Sequence, residues 1–141
     1  MKKDAPLYQG SLKHLFWVTL ILFGLGTSVA AQNSPVDAVA ASIRMGNSRD
    51  LARYFDDQVQ IGILSRQATY SKTQGEMVLR DFFTKNKVKS FDLVHRGSTA
   101  NRGADFAIGN LVTATQTFRV YFLMKQQGGQ YLLQEINFEK P

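Results

Sequence analysis

The strongest constraint on what this chain can fold into is its last apolar hairpin, where Phe118-Arg-Val-Tyr-Phe-Leu-Met124 runs into Gly128-Gly129 and returns as Tyr131-Leu-Leu-Gln-Glu-Ile-Asn-Phe138. A Gly-Gly pair between β-branched and aromatic runs signals a two-residue hairpin, because both central residues of such a turn need positive φ. It pairs Gln127 with Gln130 and therefore Met124 with Leu133. Phe118, Val120, Phe122 and Met124 then share one apolar face. On the return, Tyr131 and Leu133 continue that face, but Ile136 and Phe138 fall one step out of strict alternation. One extra residue near Gln134-Glu135 restores Ile136 opposite Phe122 and Phe138 opposite Val120, and a β-bulge of this kind bends and twists its strand. A bent sheet with one apolar face needs helices to cover it.

Those helices are legible upstream. Ser34-Pro35-Val36-Asp37 has the order N-cap, first-turn proline and third-position carboxylate. Val36, Val39, Ala40 and Ile43 follow as a single stripe, and Gly46 stands where a left-handed C-terminal residue is wanted. Ser48 is read as the cap of a short second helix from Arg49 to about Phe55, with Leu51, Tyr54 and Phe55 inward. Val59, Ile61 and Ile63 alternate as a short strand in which Gly62 is a weak or bent point. Ser71 and Gln74 make a capping box for a third helix whose inner stripe is Gly75, Val78, Leu79, Phe82 and Phe83. Glu76 with Arg80 and Asp81 with Lys85 are i,i+4 pairs on its wet side.

From Phe91 the hydrophobic period changes to two. The signals Asn101-Arg-Gly103, Ala114-Thr-Gln116 and Gly128-Gly129 divide the remainder into a four-stranded antiparallel meander. A three-residue middle turn would put Phe106, Ile108, Asn110 and Val112 on the apolar face and Tyr121 opposite Gly109; a two-residue turn would expose Phe106 and Ile108. The first register is preferred, because it hides more apolar surface.

The first 31 residues read differently. Lys2, Lys3, Lys13 and His14 precede an apolar run from Leu15 to Gly26, then Val29-Ala30-Ala31, which is the pattern of a secretory signal peptide cleaved after Ala31. The competing reading is an uncleaved anchor, but a bilayer span needs about 20 apolar residues. Residues 32–141 are then one domain, periplasmic or secreted, with no stable membrane insertion. The chain contains no cysteine, which excludes disulfides, thiol nucleophiles and thiolate metal sites. Losing Lys2, Lys3, Lys13 and Asp4 lowers the formal charge from +6 to +4. That modest, dispersed excess reads as a solvated surface rather than a nucleic-acid site.

The order helix, helix, strand, helix and bent meander resembles the cone-shaped α+β fold of the nuclear transport factor 2-like (cystatin-like) superfamily. More narrowly, Tyr70-Ser-Lys72, Phe82-Phe83, Val94-His95-Arg-Gly97, Ile108-Gly-Asn-Leu111 and Phe118-Arg-Val120 resemble a bacterial family of exported proteins of unknown function within it. The resemblance runs from Asp37 to Phe138. It implies three N-terminal helices packed on a bent antiparallel sheet that ends in a four-stranded meander. It implies no single activity, since that superfamily includes isomerases, dehydratases, carriers and interaction domains.

Candidates for chemistry are few. His95 shares a strand face with Phe91 and Leu93 and is expected to point inward; as the sole histidine after the leader it cannot form a histidine cluster for a metal. Asn110 and Tyr70 are the other polar groups placed to orient a ligand, with Phe82, Phe106, Ile108 and Phe122 as walls of a small apolar pocket. Asp56-Asp57 is read as a helix-end turn or cap, and Arg119 as a solvated outward residue. The expectation is a non-catalytic module that holds a small apolar ligand or a protein partner, without cofactor or metal. The alternatives are an isomerase- or dehydratase-like enzyme using His95, and a dimerisation scaffold, since Tyr121 and Leu123 leave aromatic and apolar surface on the outer sheet face for a second copy.

Overall fold

The final hairpin forms as its sequence requires in the computed structural model, which describes residues 33–99, 101 and 103–141. The expected leader, residues 1–31, lies outside the described residues. Strands β5 (Thr117–Gln127) and β6 (Gln130–Glu139) pair with Gln127 beside Gln130 and Met124 beside Leu133. Gly128 and Gly129 take φ of 56° and 79°, the left-handed values that glycine adopts without a Cβ penalty. The register shifts between Leu123, opposite Glu135, and Met124, opposite Leu133, so Gln134 is the inserted residue. Ile136 faces Phe122 and Phe138 faces Val120, and all four side chains are fully buried.

Three helices and four further strands complete the fold: α1 (Pro35–Arg44), α2 (Ser48–Ala52), β1 (Phe55–Ile63), β2 (Arg66–Ser71), α3 (Lys72–Lys85), β3 (Val88–Thr99) and β4 (Ala104–Thr113). The sheet has six strands in the order β2-β1-β6-β5-β4-β3. It is mixed rather than antiparallel, because β1 runs parallel to β6, with Ile61 beside Ile136 and Ile63 beside Phe138. The meander β3–β6 is present as expected. Strand β2 was not expected: its turn at Leu64-Ser65 carries no glycine or asparagine, and four of its six residues are exposed. Leu64 nonetheless takes φ 55°, and its amide donates to the Phe138 carbonyl at 2.7 Å.

Local chemistry explains the helices. In α1 the Ser34 hydroxyl oxygen accepts from the Asp37 amide at 3.2 Å, and the stripe Val36, Val39, Ala40 and Ile43 is buried. The Asp37 carboxylate also binds Arg96 of β3 at 2.9 Å; the Ser34 hydroxyl first and then the guanidinium hold its carboxyl below the usual range. Helix α2 is capped by Asn47 rather than Ser48, and it stops at Ala52 because Phe55 already belongs to β1. Both halves of the Ser71–Gln74 capping box form in α3. Gly75 lets α3 close on the sheet: a Cβ there would stand 2.9 Å from the Phe55 ring and 3.0 Å from a Val59 methyl.

One face of the sheet is covered by these helices, α1 over β3 and β4, and α3 over β1 and β2. The aromatic packing on that face is tight. Phe82 lies 4.3 Å from Phe138 and 5.2 Å from Phe118, centroid to centroid. All three rings are at least 96% removed from solvent, and each contributes on the order of 150–250 Å² of buried area.

Two registers differ from expectation. The β4–β5 connection takes the register of the two-residue turn rather than the preferred three-residue one: the Thr113 amide donates to the Gln116 carbonyl at 3.0 Å, with Val112 beside Thr117 and Leu111 beside Phe118. Thr113 is drawn into the turn, its hydroxyl donating to the Gln116 carbonyl at 2.6 Å and accepting from the Gln116 amide at 3.1 Å. A one-residue change of register exchanges the faces of a strand. Ala107, Gly109 and Leu111 therefore face the core, while Phe106, Ile108, Asn110 and Val112 lie on the opposite face. Large and small residues compensate: the Phe91 ring fills the space over Gly109, where a Cβ would stand 2.5 Å from it. Tyr121 consequently sits beside Ile108, not Gly109. In β3 a second shift between Leu93 and His95 leaves Val94 as a bulge, 64% exposed, and turns His95 away from the core.

Candidate functional site

The central space between the helices and the sheet, expected to hold a ligand, is occupied by side chains. Phe122 is fully buried in the core, and Phe82 is packed against Phe118 and Phe138. The expected pocket walls separate, because Phe106 and Ile108 are on the other face of the sheet. The three expected ligand contacts separate as well. His95 and Asn110 lie on the outer face, beside Ile108 and Asp92 respectively, and both are exposed. Tyr70 pairs with Val59 and packs on the core side. An enzyme working from a concave-wall His95 loses its geometry, since the bulge at Val94 sends the imidazole to the opposite face.

That outer face has its own organisation. His95 lies 5.8 Å from Phe106, and Phe106 lies 6.4 Å from Tyr121, centroid to centroid, so the rings step across three adjacent strands. Phe106 covers Gly97, where a Cβ would stand 2.6 Å from the ring. Ile108 and Leu123 fill in beside them, half-buried like Phe106 and Tyr121. Register places polar groups around this centre: Arg119, Asn110 and Asp92 on one side, Glu135 and Asn137 on β6. Burial first, and then the neighbouring Glu135 carboxylate, raise the Tyr121 phenol above its ordinary pKa, which keeps it neutral as a donor. The Asn137 carboxamide donates to Glu135 at 2.6 Å and lies over Gly62, which accounts for a residue with no Cβ in the middle of β1.

Asp56-Asp57 is not a helix end. Both residues belong to β1, and the Asp56 carboxylate accepts from Gln134 at 2.8 Å, from Gln127 at 3.0 Å and from the Asp57 amide at 2.7 Å. The Gln134 hydrogen bond first, with the Asp57 amide and Gln127, holds the carboxyl below the usual range. The bulged residue of β6 is thus clamped by a carboxylate that sequence reading placed in a turn.

A cleft of about 280 Å³ opens at the β2 edge, between α3 and the β1–β2 hairpin. Its floor is Ile61, Ile63, Val78 and Phe82, and Tyr70, Arg66 and Lys85 stand at its rim. Lys85 is engaged by Asp81 at 2.8 Å. Asn86 is also committed: its Nδ2 donates to the Phe82 carbonyl at 3.0 Å, and its Oδ1 accepts from Thr115 at 2.6 Å. Among the described residues Arg66 makes no ion pair. Tyr70 and Phe82 were expected at a binding site and meet here; Arg66 was not, because β2 was not recognised. Among the described residues no helix is long and apolar enough to cross a membrane, and no cluster of three or more His, Cys, Asp or Glu could hold a metal ion.

With this geometry in place, the chain can be set beside known proteins. The family described as "Domain of unknown function (DUF4783)" matches residues 36–139, a span that contains every residue discussed above except Ser34 and Pro35 and the leader. A DUF4783 family protein from Bacteroides ovatus is 32% identical with a TM-score of 0.72, the match covering 78% of this chain and 97% of that one. One from Bacteroides uniformis is 30% identical with a TM-score of 0.72, covering 77% and 98%. An NTF2-like protein of unknown function from Pseudomonas putida, 11% identical with a TM-score of 0.59, covers 75% and 81% and shares the fold. The nuclear transport factor 2-like fold expected from the order of elements is therefore shared. No curated protein matches the chain.

Proposed function

The chain belongs to the DUF4783 family, and from that premise and its two sheet faces we propose that it is an exported, non-catalytic interaction module whose partner is a second copy of itself, docked through the outer face. One observation carries this reading: Phe106 and Tyr121, with Ile108 and Leu123, form a half-buried apolar centre, flanked by the exposed His95 ring, on the face that the described helices leave uncovered. Apolar centre and polar rim are the anatomy of a protein interface. Cations on β5, Arg119 and Lys125, and anions on β6, Glu135 and Glu139, offer complementary charges to the same face of another copy. The filled centre of the core, where Phe82, Phe118, Phe122 and Phe138 pack, argues for surface recognition over a ligand stored there. Export rests on the sequence of residues 1–31, and the mature chain should begin at or near Gln32.

Sedimentation velocity at high micromolar concentration tests the reading. We expect a dimer, and we expect Ile108→Glu to give a monomer with an unchanged circular dichroism spectrum. A wild-type chain that stays monomeric throughout would overturn it.

A further inference from the structure

The cleft at the β2 edge carries an inference independent of the outer face. We infer that it binds a small amphipathic monocarboxylate, with its chain on the floor of Ile61, Ile63, Val78 and Phe82 and its carboxylate at Arg66. Three observations converge on that chemistry. The floor is entirely aliphatic and aromatic: Ile61 and Phe82 are buried beneath it, and Ile63 and Val78 are only partly covered, so apolar surface is left facing the cleft. Filling it with hydrocarbon removes that surface from water, at about 25 cal/mol per Å².

Charge sets the head group. Of the three ionised groups at the rim, Asp81 and Lys85 neutralise one another at 2.8 Å, which leaves Arg66 and a net charge of one positive unit. A guanidinium presents parallel donors matched to the two oxygens of a carboxylate. A monoanion matches that net charge of one, whereas a dianion such as a phosphate monoester would leave a negative charge unbalanced. The Tyr70 side chain at the same rim is amphipathic, able to flank a chain with its ring and a head group with its hydroxyl.

The room in the cleft sets the choice of probe. A space of about 280 Å³ corresponds to about nine water molecules at ~30 Å³ each, which fits a ligand of roughly ten non-hydrogen atoms. Octanoate is of that size, and 1-octanol is its uncharged counterpart.

Isothermal titration calorimetry of the full chain with each of these probes is the test. Octanoate should bind saturably and at least about tenfold more tightly than 1-octanol, the ratio that one charge-assisted contact supports. Arg66→Gln should bring octanoate down to the level of 1-octanol, whereas Arg53→Gln, which removes an exposed arginine paired with Asp50 elsewhere, should leave the ratio unchanged. Val78→Phe, which fills the cleft from its floor, should weaken both probes. A thermal melt of each variant separates loss of binding from loss of fold. The assignment is overturned if neither probe binds saturably, if the two bind equally, or if folded Arg66→Gln retains the preference for octanoate.

Discussion

Replacing Gly109 by alanine distinguishes, by the sign of its effect, the observed β4 register from the one that hides more apolar surface. If Gly109 faced outward beside Tyr121, alanine would relieve the backbone-entropy cost of a strand glycine and stabilise the domain by about 0.5–1 kcal/mol. In the structure Gly109 faces the core opposite Val120, and a Cβ built on it stands 2.5 Å from two atoms of the Phe91 ring and 2.8 Å from the Asp92 carbonyl oxygen. Phe91 is fully buried, and the Arg44 guanidinium donates to its carbonyl at 3.1 Å, so its backbone and its ring are both constrained. Overpacking of this kind costs about 1–3 kcal/mol, and two rigid obstacles place this case in the upper half. Subtracting the strand gain leaves a net loss of about 1–2 kcal/mol. With a urea m-value of about 1–3 kcal/mol/M, the midpoint should fall by roughly 1 M. The melting temperature should fall by about 5–10 °C, at about 4–8 °C per kcal/mol for a domain near 100 residues. Adding Phe91→Leu should recover part of the loss, so the double variant is more stable than the sum of the single effects. A Gly109→Ala variant as stable as wild type, or more so, would refute the placement of Phe91 and the register with it.

Further outcomes follow from other local features. Deleting Gln134 removes the inserted residue and leaves Leu133, Ile136 and Phe138 on the core face by plain alternation, so urea unfolding of that variant should stay cooperative; loss of the cooperative transition would mean that the bend at the bulge is itself required. Asp56 and Asp37 both titrate below the usual carboxylate range when folded, so their stabilisation is present above the unfolded pKa of about 3.9 and is lost as pH falls through the folded values. Chemical denaturation between about pH 5 and pH 2.5 should therefore show a shallower acid decline in Asp56→Asn than in wild type. Leu64 holds φ 55° while 45% exposed, so Leu64→Gly should raise stability by roughly 0.5–1 kcal/mol in a urea titration; a decrease would mean its side chain contributes more than its backbone strain costs.

The sequence by itself determined the features set by neighbours a few residues apart. Ser34 and Ser71 cap their helices because a hydroxyl oxygen two or three positions ahead reaches a free amide wherever the helix lies. Gly128-Gly129 fixes its hairpin, and a break of alternation between Leu133 and Ile136 announces the bulge at Gln134, because strand period and turn type are local rules. Short motifs from Tyr70-Ser-Lys72 to Phe118-Arg-Val120 likewise sufficed for the family. What tertiary structure decided is register and pairing between distant segments. The adjacent apolar residues Leu93-Val94 were an available sign of the bulge that turns His95 outward, yet alternation from Phe91 masked it. The sequence allowed both a three-residue and a two-residue turn before β5; Thr113 closes the two-residue one on Gln116, and that single step put Phe106, Ile108 and Asn110 on the outer face. Parallel pairing of β1 with β6 sets Asp56 against Gln134 across 78 residues of chain. The cleft depends on the same kind of long-range closure. Arg66 reaches it from a strand whose turn has no glycine, next to Lys85 at the far end of a helix. Side-chain period states which residues share a face, but only the packing of Phe91 over Gly109 and of the helices over one side decides which face is buried.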